Sequence, residues 1–415
     1  MSDSKYFYGW TIVMVAFVVD FIAVGFFFYS YGAFFLPIAE ELGGGSRLGV
    51  NMGIVLVNAT GAIIAPWVGD ALDRFNIKYI MTLGAVISSI GFACLSFAQS
   101  MTQFYIVLVL LTAVGTSIMG QLATAKLVAN WFVAKRGMAL GIATMGVSLS
   151  GVVMPNVTTW LIDLFGWRGS LEIFSVATIL IVVPVVLLFV VGTPEEKDQE
   201  PDGRRRLKLD NIPVPPKPTF DIKWQEIVKL RSFWAVTLTF GLTFCGMGAT
   251  LTNMIPLAVD MGIEKHDAAQ ILAYGALAGV LGKVFFGVLS DKVSIGNAIL
   301  WAIGTQWIGI AMMTEVEQAW TLSIASIIFG FGMGGVVPLH GSAVGELFGR
   351  RGFGKVMGLS RPMMLPLQVL GLPLAGWMYD NFGTYNPAFY SFLFFLIVAA
   401  IITVTMIPKE RIDEL

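Results

Sequence analysis

The sequence predicts an all-α membrane protein with twelve transmembrane helices arranged as two pseudo-symmetric six-helix bundles. Three observations carry this prediction. The chain of 415 residues is 56% hydrophobic and only 13% charged, with a mean hydropathy of +0.78. Its apolar residues gather into twelve stretches of spanning length, and a set of residue patterns recurs at a nearly constant offset. A water-facing globule of this size has no use for so much apolar surface, whereas a bilayer requires it.

Stretches of ~17 to 25 apolar residues, separated by polar or Gly/Pro/Asn clusters, fall near 9–38, 49–69, 79–98, 103–130, 138–163, 170–191, 233–258, 268–289, 295–314, 319–345, 355–379 and 387–407. The first runs from about Tyr8 to Ile38. That is well beyond the ~15 residues of a signal-peptide core, and no A-x-A-like site follows, so it is expected to be the first membrane helix. Between the sixth and seventh stretches, residues 193–231 are rich in charge and proline. They predict a linker with a short interfacial helix at its end, in "FDIKWQEIVKL". The expected organisation is therefore an N-terminal bundle over 1–192, a linker over 193–231 and a C-terminal bundle over 232–415.

Basic residues fix the expected orientation. With the N-terminus in the cytoplasm, twenty lysines and arginines fall on the cytoplasmic side, nine of them in the linker, and only Arg47, Arg168 and Lys265 fall opposite. Both termini and the linker are expected to face the cytoplasm, in a multi-pass protein of the cell's inner (cytoplasmic) membrane.

The repeat is legible as three anchors in the same order. "GDALDRF" at 69–75 matches "GVLSDKV" at 287–293, "AKRGMALG" answers "GRRGFGKVMG", and "WLIDLFG" at 160–166 matches "WMYDNFG" at 377–383. The offset is about 217 residues throughout, which points to two halves of one topology. In each half the loop after the second helix places Gly69, Asp73 and Arg74, or Gly287, Asp291 and Lys292, in the same order. A glycine lets two helix ends approach, a carboxylate suits a helix N-terminus, and the cation stays at the interface. These loops resemble the motif of the major facilitator superfamily, and the twelve-span arrangement agrees over nearly the whole chain. The resemblance implies that these six residues form a conformational latch on the cytoplasmic side. The family's later glycine is replaced in the first half by Asn76, a residue that also tolerates the left-handed conformation.

A narrower resemblance is carried by "NWFVAKRGMALG" at 130–141, "RSFWAV" at 231–236, "KVFFGVLSDK" at 283–292 and "WMYDNFGTYNPAF" at 377–389. Together they are similar to the branch holding the oxalate/formate antiporters and the monocarboxylate porters. In that branch the eighth-helix position of Lys283 carries an arginine that contacts a carboxylate, and Arg361 falls close to an eleventh-helix lysine of the oxalate transporters. The chain departs from the animal monocarboxylate porters in two places: Phe28 to Ser30 stand where a lysine is found, and Gly279 where an aspartate is found.

The ionisable residues inside the spans are Asp20, Lys126, Lys283, His340 and Arg361. A cation at the centre of a membrane helix costs about 2.5 to 3.5 kcal/mol, so each needs a reason. Lys126 lies four or five residues from its span's end and is expected to snorkel into the cytoplasm. Lys283 is eight residues before Asp291, ~12 Å inside, and Arg361 lies ~10 Å inside the eleventh span. The repeat places no cation at the equivalent positions of the other half, so the scaffold does not require them. Glycines 275, 279 and 287 flank Lys283 at intervals that serve either close packing or room for a small ligand. Pro362 and Pro366 beside Arg361 predict a local break in its helix.

This interior surplus of positive charge predicts a small organic anion as substrate, a mono- or dicarboxylate held by Lys283 and Arg361. Gln368, Tyr29, Tyr274 and Asn253 are the further expected substrate contacts, and Asp20 is either the proton-coupling group or a structural polar contact. Gln121, Asn156 and Gln306 are weaker candidates, and His340 is expected to be a satisfied interhelical donor. The expected function is secondary active transport by alternating access, as proton symport or anion exchange. A substrate-sensing receptor and an exporter of organic cations or drugs remain as alternatives. The expected partners are the substrate, protons and the bilayer, with no nucleic acid and no obligatory protein partner. No phosphate-binding loop, nucleophile set or metal spacing appears; the two cysteines, Cys94 and Cys245, lie in apolar runs. The sequence therefore predicts neither an enzyme nor a cofactor or metal.

Overall fold

The computed structural model describes residues 7–42, 47–203, 223–316, 318–350 and 352–407. Its regular structure is helical throughout: α1 (Gly9–Val24), α2 (Tyr31–Glu41), α3 (Arg47–Arg74), α4 (Ile77–Ser96), α5 (Met101–Val107), α6 (Val114–Met119), α7 (Gln121–Trp131), α8 (Arg136–Ala177), α9 (Val183–Phe189), α10 (Trp224–Ile227), α11 (Arg231–Asp260), α12 (Lys265–Lys292), α13 (Ile295–Thr314), α14 (Ala319–Phe348), α15 (Phe353–Phe382) and α16 (Asn386–Met406). Among the described residues, ten helices are long and apolar enough to cross a membrane. One of these, Arg136–Phe189, covers 54 residues and reverses at Gly166, whose φ of 70° a side chain resists. It therefore supplies two crossings. The 30-residue α15, with Pro362, Pro366 and Pro373 inside it, supplies the twelfth.

Only α10 represents the expected interfacial helix. Residues 220–222 of that stretch, and the linker's basic residues between 204 and 222, lie outside the described residues, as do Lys5, Arg351, Lys409 and Arg411.

The chain divides into two compact units: Met1–Val133, Ala143–Asp221 and Arg350–Leu359 form one, and Ala134–Ile142, Ile222–Gly349 and Ser360–Leu415 the other. The first unit is built on wide helical turns. Three π-helical segments, Gly25–Tyr29, Leu108–Ala113 and Thr178–Val182, interrupt its membrane helices. Such turns displace backbone hydrogen bonds, and side chains take up the slack. Ser30 Oγ donates to the Gly25 carbonyl at 2.8 Å, and Thr158 Oγ1 meets Ser30 Oγ at 2.7 Å. Around them, Phe26 stacks on Phe174 with centroids 4.4 Å apart, and Phe92 and Phe34 meet the same ring edge-on. Asn76 is an extended N-cap, φ −68° and ψ 118°, whose side chain accepts from the Lys78 amide. The left-handed conformation expected there is not used; the asparagine serves by capping instead.

In the second unit the governing contact is glycine on glycine. A Cβ on Gly334 would collide with the Gly279 carbonyl, one on Gly330 with the Gly275 carbonyl, and one on Gly282 with Phe331. Helices α12 and α14 thus approach backbone to backbone, which is how membrane helices gain dispersion contact without a hydrophobic drive. Gly275 and Gly279 thus serve the close packing expected of this stripe. Helices α11 and α16 meet through Thr239 and Thr403, whose hydroxyls are 3.2 Å apart.

Candidate functional site

Lys283 lies in α12, which runs unbroken to Lys292, and it is 8% exposed. Eight residues separate it from Asp291, so it sits ~12 Å along the helix from that end. Arg361 lies eight residues into α15, at the same ~12 Å depth, and is partly exposed. The expected break at Pro362 and Pro366 does not occur: α15 continues as helix to Phe382. Arg361 acts electrostatically on the ring of His340, which packs against Phe240 with centroids 4.8 Å apart. Gln368, on the same helix as Arg361, is partly exposed.

The expectation that His340 is a satisfied donor is corrected: its Nε2 is buried and has no hydrogen-bond partner among the described residues. The same holds for both amide atoms of Gln306, a fully buried side chain on α13. Asn253 spends its amide on its own helix, donating to the Ala249 carbonyl at 2.8 Å, and Asn156 does likewise toward Val152. Tyr274 is 47% exposed.

In the first unit, Asp20 is 1% exposed on α1, and Thr124 of α7 donates its hydroxyl to Asp20 Oδ1 at 2.9 Å. Thr124 was not singled out by the sequence, because a threonine in an apolar run carries no signal of its own. Tyr29 belongs to the first π-helical segment, partly exposed, its ring against Gly151. A nearby apolar cavity is lined by Phe26, Phe34, Phe92, Phe104 and Leu171, with Tyr31 among them. It offers nothing to an anion.

The loop carboxylates adopt the same geometry twice. Asp73 accepts from the backbone amides of Gly354 and Lys355, at 3.1 and 2.7 Å, in the first turn of α15. Asp291 accepts from Gly137 and Met138, at 2.7 and 2.9 Å, in the first turn of α8. Each carboxylate satisfies two amides that an α-helix leaves without internal partners and faces the positive end of its dipole. The glycines make this possible: a Cβ on Gly69 would strike the Gly354 carbonyl, and one on Gly287 the Gly137 carbonyl. Arg74 pairs with Asp70 at 2.9 Å on the exposed side, while Lys292 is exposed.

The snorkelling expected of Lys126 is also corrected. Its Nζ lies 2.6 Å from Asp73 Oδ1, with the two side chains 5% and 7% exposed. It also donates to the Arg350 carbonyl. The cation is held because its attraction to Asp73, with the hydrogen bond to the Arg350 carbonyl, offsets the cost of taking the charges out of water. Lys126 is therefore neutralised within the protein.

Residues 13–364 match the model of the Major Facilitator Superfamily. The chain belongs to that superfamily. Like other members it is a transporter of small molecules and a multi-pass membrane protein, not an enzyme. It is similar to monocarboxylate transporter 13 of Rattus norvegicus, 25% identical over 96% of this chain and 89% of that protein. Monocarboxylate transporter 11 of Homo sapiens is 24% identical over 92% and 79% respectively. Among solved structures, the human organic anion transporter MFSD10 (TETRAN) superposes with a TM-score of 0.72 at 14% identity, covering 95% of this chain and 99% of that one. The proton:xylose symporter XylE gives 0.71 at 13% identity, covering 97% of each. At such identities these structures speak for the superfamily fold alone.

Proposed function

We propose that this superfamily member moves a small carboxylate across the cytoplasmic membrane by alternating access, with Lys283 and Arg361 as its substrate cations. The observation that carries this reading is the burial of Lys283 at the same helical depth as Arg361. A guanidinium offers a carboxylate two parallel hydrogen bonds and an ammonium offers a compact charge, so together they hold one or two carboxyl groups. The monocarboxylate transporters among its relatives support the same substrate class. Gln368, Tyr29, Tyr274 and Asn253 are proposed as further contacts, although Asn253 must release its bond to Ala249 to serve. Asp73 and Asp291 are proposed as the cytoplasmic latch, with both termini on that side.

Asp20 is the proposed proton-coupling carboxylate, since it is buried near the middle of a membrane helix and accepts a hydrogen bond from the Thr124 hydroxyl. The test is uptake of labelled lactate, oxalate and formate into proteoliposomes, with and without a pH gradient. Flux of at least one carboxylate is expected, stimulated by an inward proton gradient. In Asp20→Asn that stimulation is lost while carboxylate exchange persists. Absence of all carboxylate flux overturns the substrate class, and stimulation that survives in Asp20→Asn overturns the coupling role alone.

A further inference from the structure

Beyond the last turn of α9 the chain reads "VGTPEEKDQEPDG", residues 191–203, and it folds into a tied segment. Thr193 and Glu196 form a reciprocal capping box around a 3-10 turn at Pro194–Lys197. Asp198 and Asp202 turn the chain through left-handed conformations, φ 54° and 61°. Five contacts fasten it. Trp131 Nε1 donates to the Val191 carbonyl at 2.8 Å, and Asn130 Nδ2 to the Gly192 carbonyl at 3.0 Å. The amide of Tyr8 donates to Gln199 Oε1 at 3.1 Å, that of Val133 donates to Asp202 Oδ2 at 3.1 Å, and Lys197 lies over the Tyr8 ring at 5.0 Å. The start of α1 and the end of α7 are bound by one short run of linker.

That run also presents Glu195 to Arg350. Two roughly parallel bonds, 3.2 and 3.4 Å, join the guanidinium to the carboxylate. Arg350 Nε is buried with no hydrogen-bond partner among the described residues, so the guanidinium depends on this fork to offset its burial. The carbonyl of the same residue accepts from Lys126, and Lys126 holds Asp73, which caps Gly354 and Lys355. The contacts run without a gap from the linker to the first turn of α15.

We propose that residues 191–203 are a clasp that controls the cytoplasmic latch through Glu195, a positioning residue acting on Asp73 by way of Arg350 and Lys126. Breaking the fork lets the Arg350 carbonyl drift from Lys126 and loosens the cap on α15, shifting the transporter's conformational equilibrium without touching the anion site. The transport consequence rests on the alternating-access reading above; the structural consequence does not.

The test is hydrogen–deuterium exchange of the peptide spanning residues 352–360 in the purified full chain, alongside proteoliposome transport. In Glu195→Gln and in Arg350→Gln, exchange in that peptide is expected to quicken by about two- to fivefold, the range for a half-exposed ion pair. The charge swap Glu195→Arg with Arg350→Glu restores the slower rate, and Glu200→Gln leaves it unchanged. Where carboxylate flux is measurable, turnover changes with KM for the anion constant. Unaltered exchange in both single variants, with thermal midpoints showing them folded, overturns the clasp. Quickened exchange in a protein that carries no carboxylate supports the clasp and refutes only the substrate. Failure of the charge swap to restore the rate overturns Glu195 as the control point.

Discussion

The carboxylate of Asp73 lies 2.6 Å from Nζ of Lys126, both side chains more than nine-tenths buried, and the same carboxylate caps the first turn of α15. One acid thus has two tasks. Its charge makes a buried lysine tolerable, and its lone pairs satisfy amides that the helix leaves open. Asp291 caps α8 in the same manner from the other repeat.

Lys126→Ala leaves Asp73 as an uncompensated buried charge. Breaking a buried pair in this way costs about 3 to 5 kcal/mol, so a lower thermal midpoint in detergent is expected. Pairing Lys126→Met with Asp73→Asn removes both charges and recovers much of the loss. An unchanged midpoint in Lys126→Ala argues against the pair as a stabilising contact.

Lys283→Ala and Arg361→Ala are expected to abolish carboxylate transport while membrane insertion and thermal stability persist. Removing one partner of a desolvated charge interaction costs about 2 to 5 kcal/mol, or upward of ~30-fold in kcat/KM. Arg361→Lys retains charge without the planar fork and is expected to raise KM more than Lys283→Arg does. Initial rates over a substrate series measure both. Retained activity in the two alanine variants refutes the site.

The α12–α14 contact gives a graded prediction. A Cβ on Gly334 meets the backbone of Gly279 with its carbonyl carbon at 2.8 Å, whereas one on Gly279 meets the Gly330 carbonyl oxygen at 3.1 Å and the flexible Met333 side chain at 3.3 Å. Gly334→Ala is therefore expected to destabilise by about 1 to 3 kcal/mol, as overpacking does, and Gly279→Ala by less. Thermal midpoints of the two variants, in one detergent, rank them.

At the end of α2, Glu41 accepts from Trp167 Nε1 at 2.6 Å and from Arg168 Nη2 at 2.7 Å. The Trp167 bond, then those to Arg168, hold its carboxyl below the ordinary value of 4.5. A carboxyl lowered in the folded state stabilises at pH above its unfolded value and loses that contribution as pH falls through its folded one. Wild type is thus expected to exceed Glu41→Gln in thermal midpoint at pH 7, with the gap closing only below pH 4.5. The exposed position screens the effect and keeps it small. Glu195 follows the same sign. Burial raises its carboxyl, but its own backbone amide, Arg350 and Thr193 outweigh that and lower it. A gap that instead widens on acidification contradicts the assignment.

Much was legible without coordinates. Hydropathy concerns single residues and their near neighbours, and it predicted the helices; the superfamily came from the resemblance of the Gly69–Arg74 and Gly287–Lys292 loops to its motif. Lys283 and Arg361 stood out because the other repeat builds the same helices without them. Asn76 was legible as a substitution but not as an N-cap, since its role depends on where the chain turns.

What the sequence by itself determined is which segments enter the bilayer and which of their residues are costly there, because transfer of a side chain into hydrocarbon depends chiefly on that side chain. Only the tertiary structure decided how each cost is met. Lys126 meets Asp73, 53 residues earlier in the chain, and Arg350 meets Glu195, 155 residues away. Gly275 and Gly279 are taken up by Gly330 and Gly334. Ion pairs and backbone contacts act over a few ångströms in space, and no local property of the chain encodes which distant residue will arrive there.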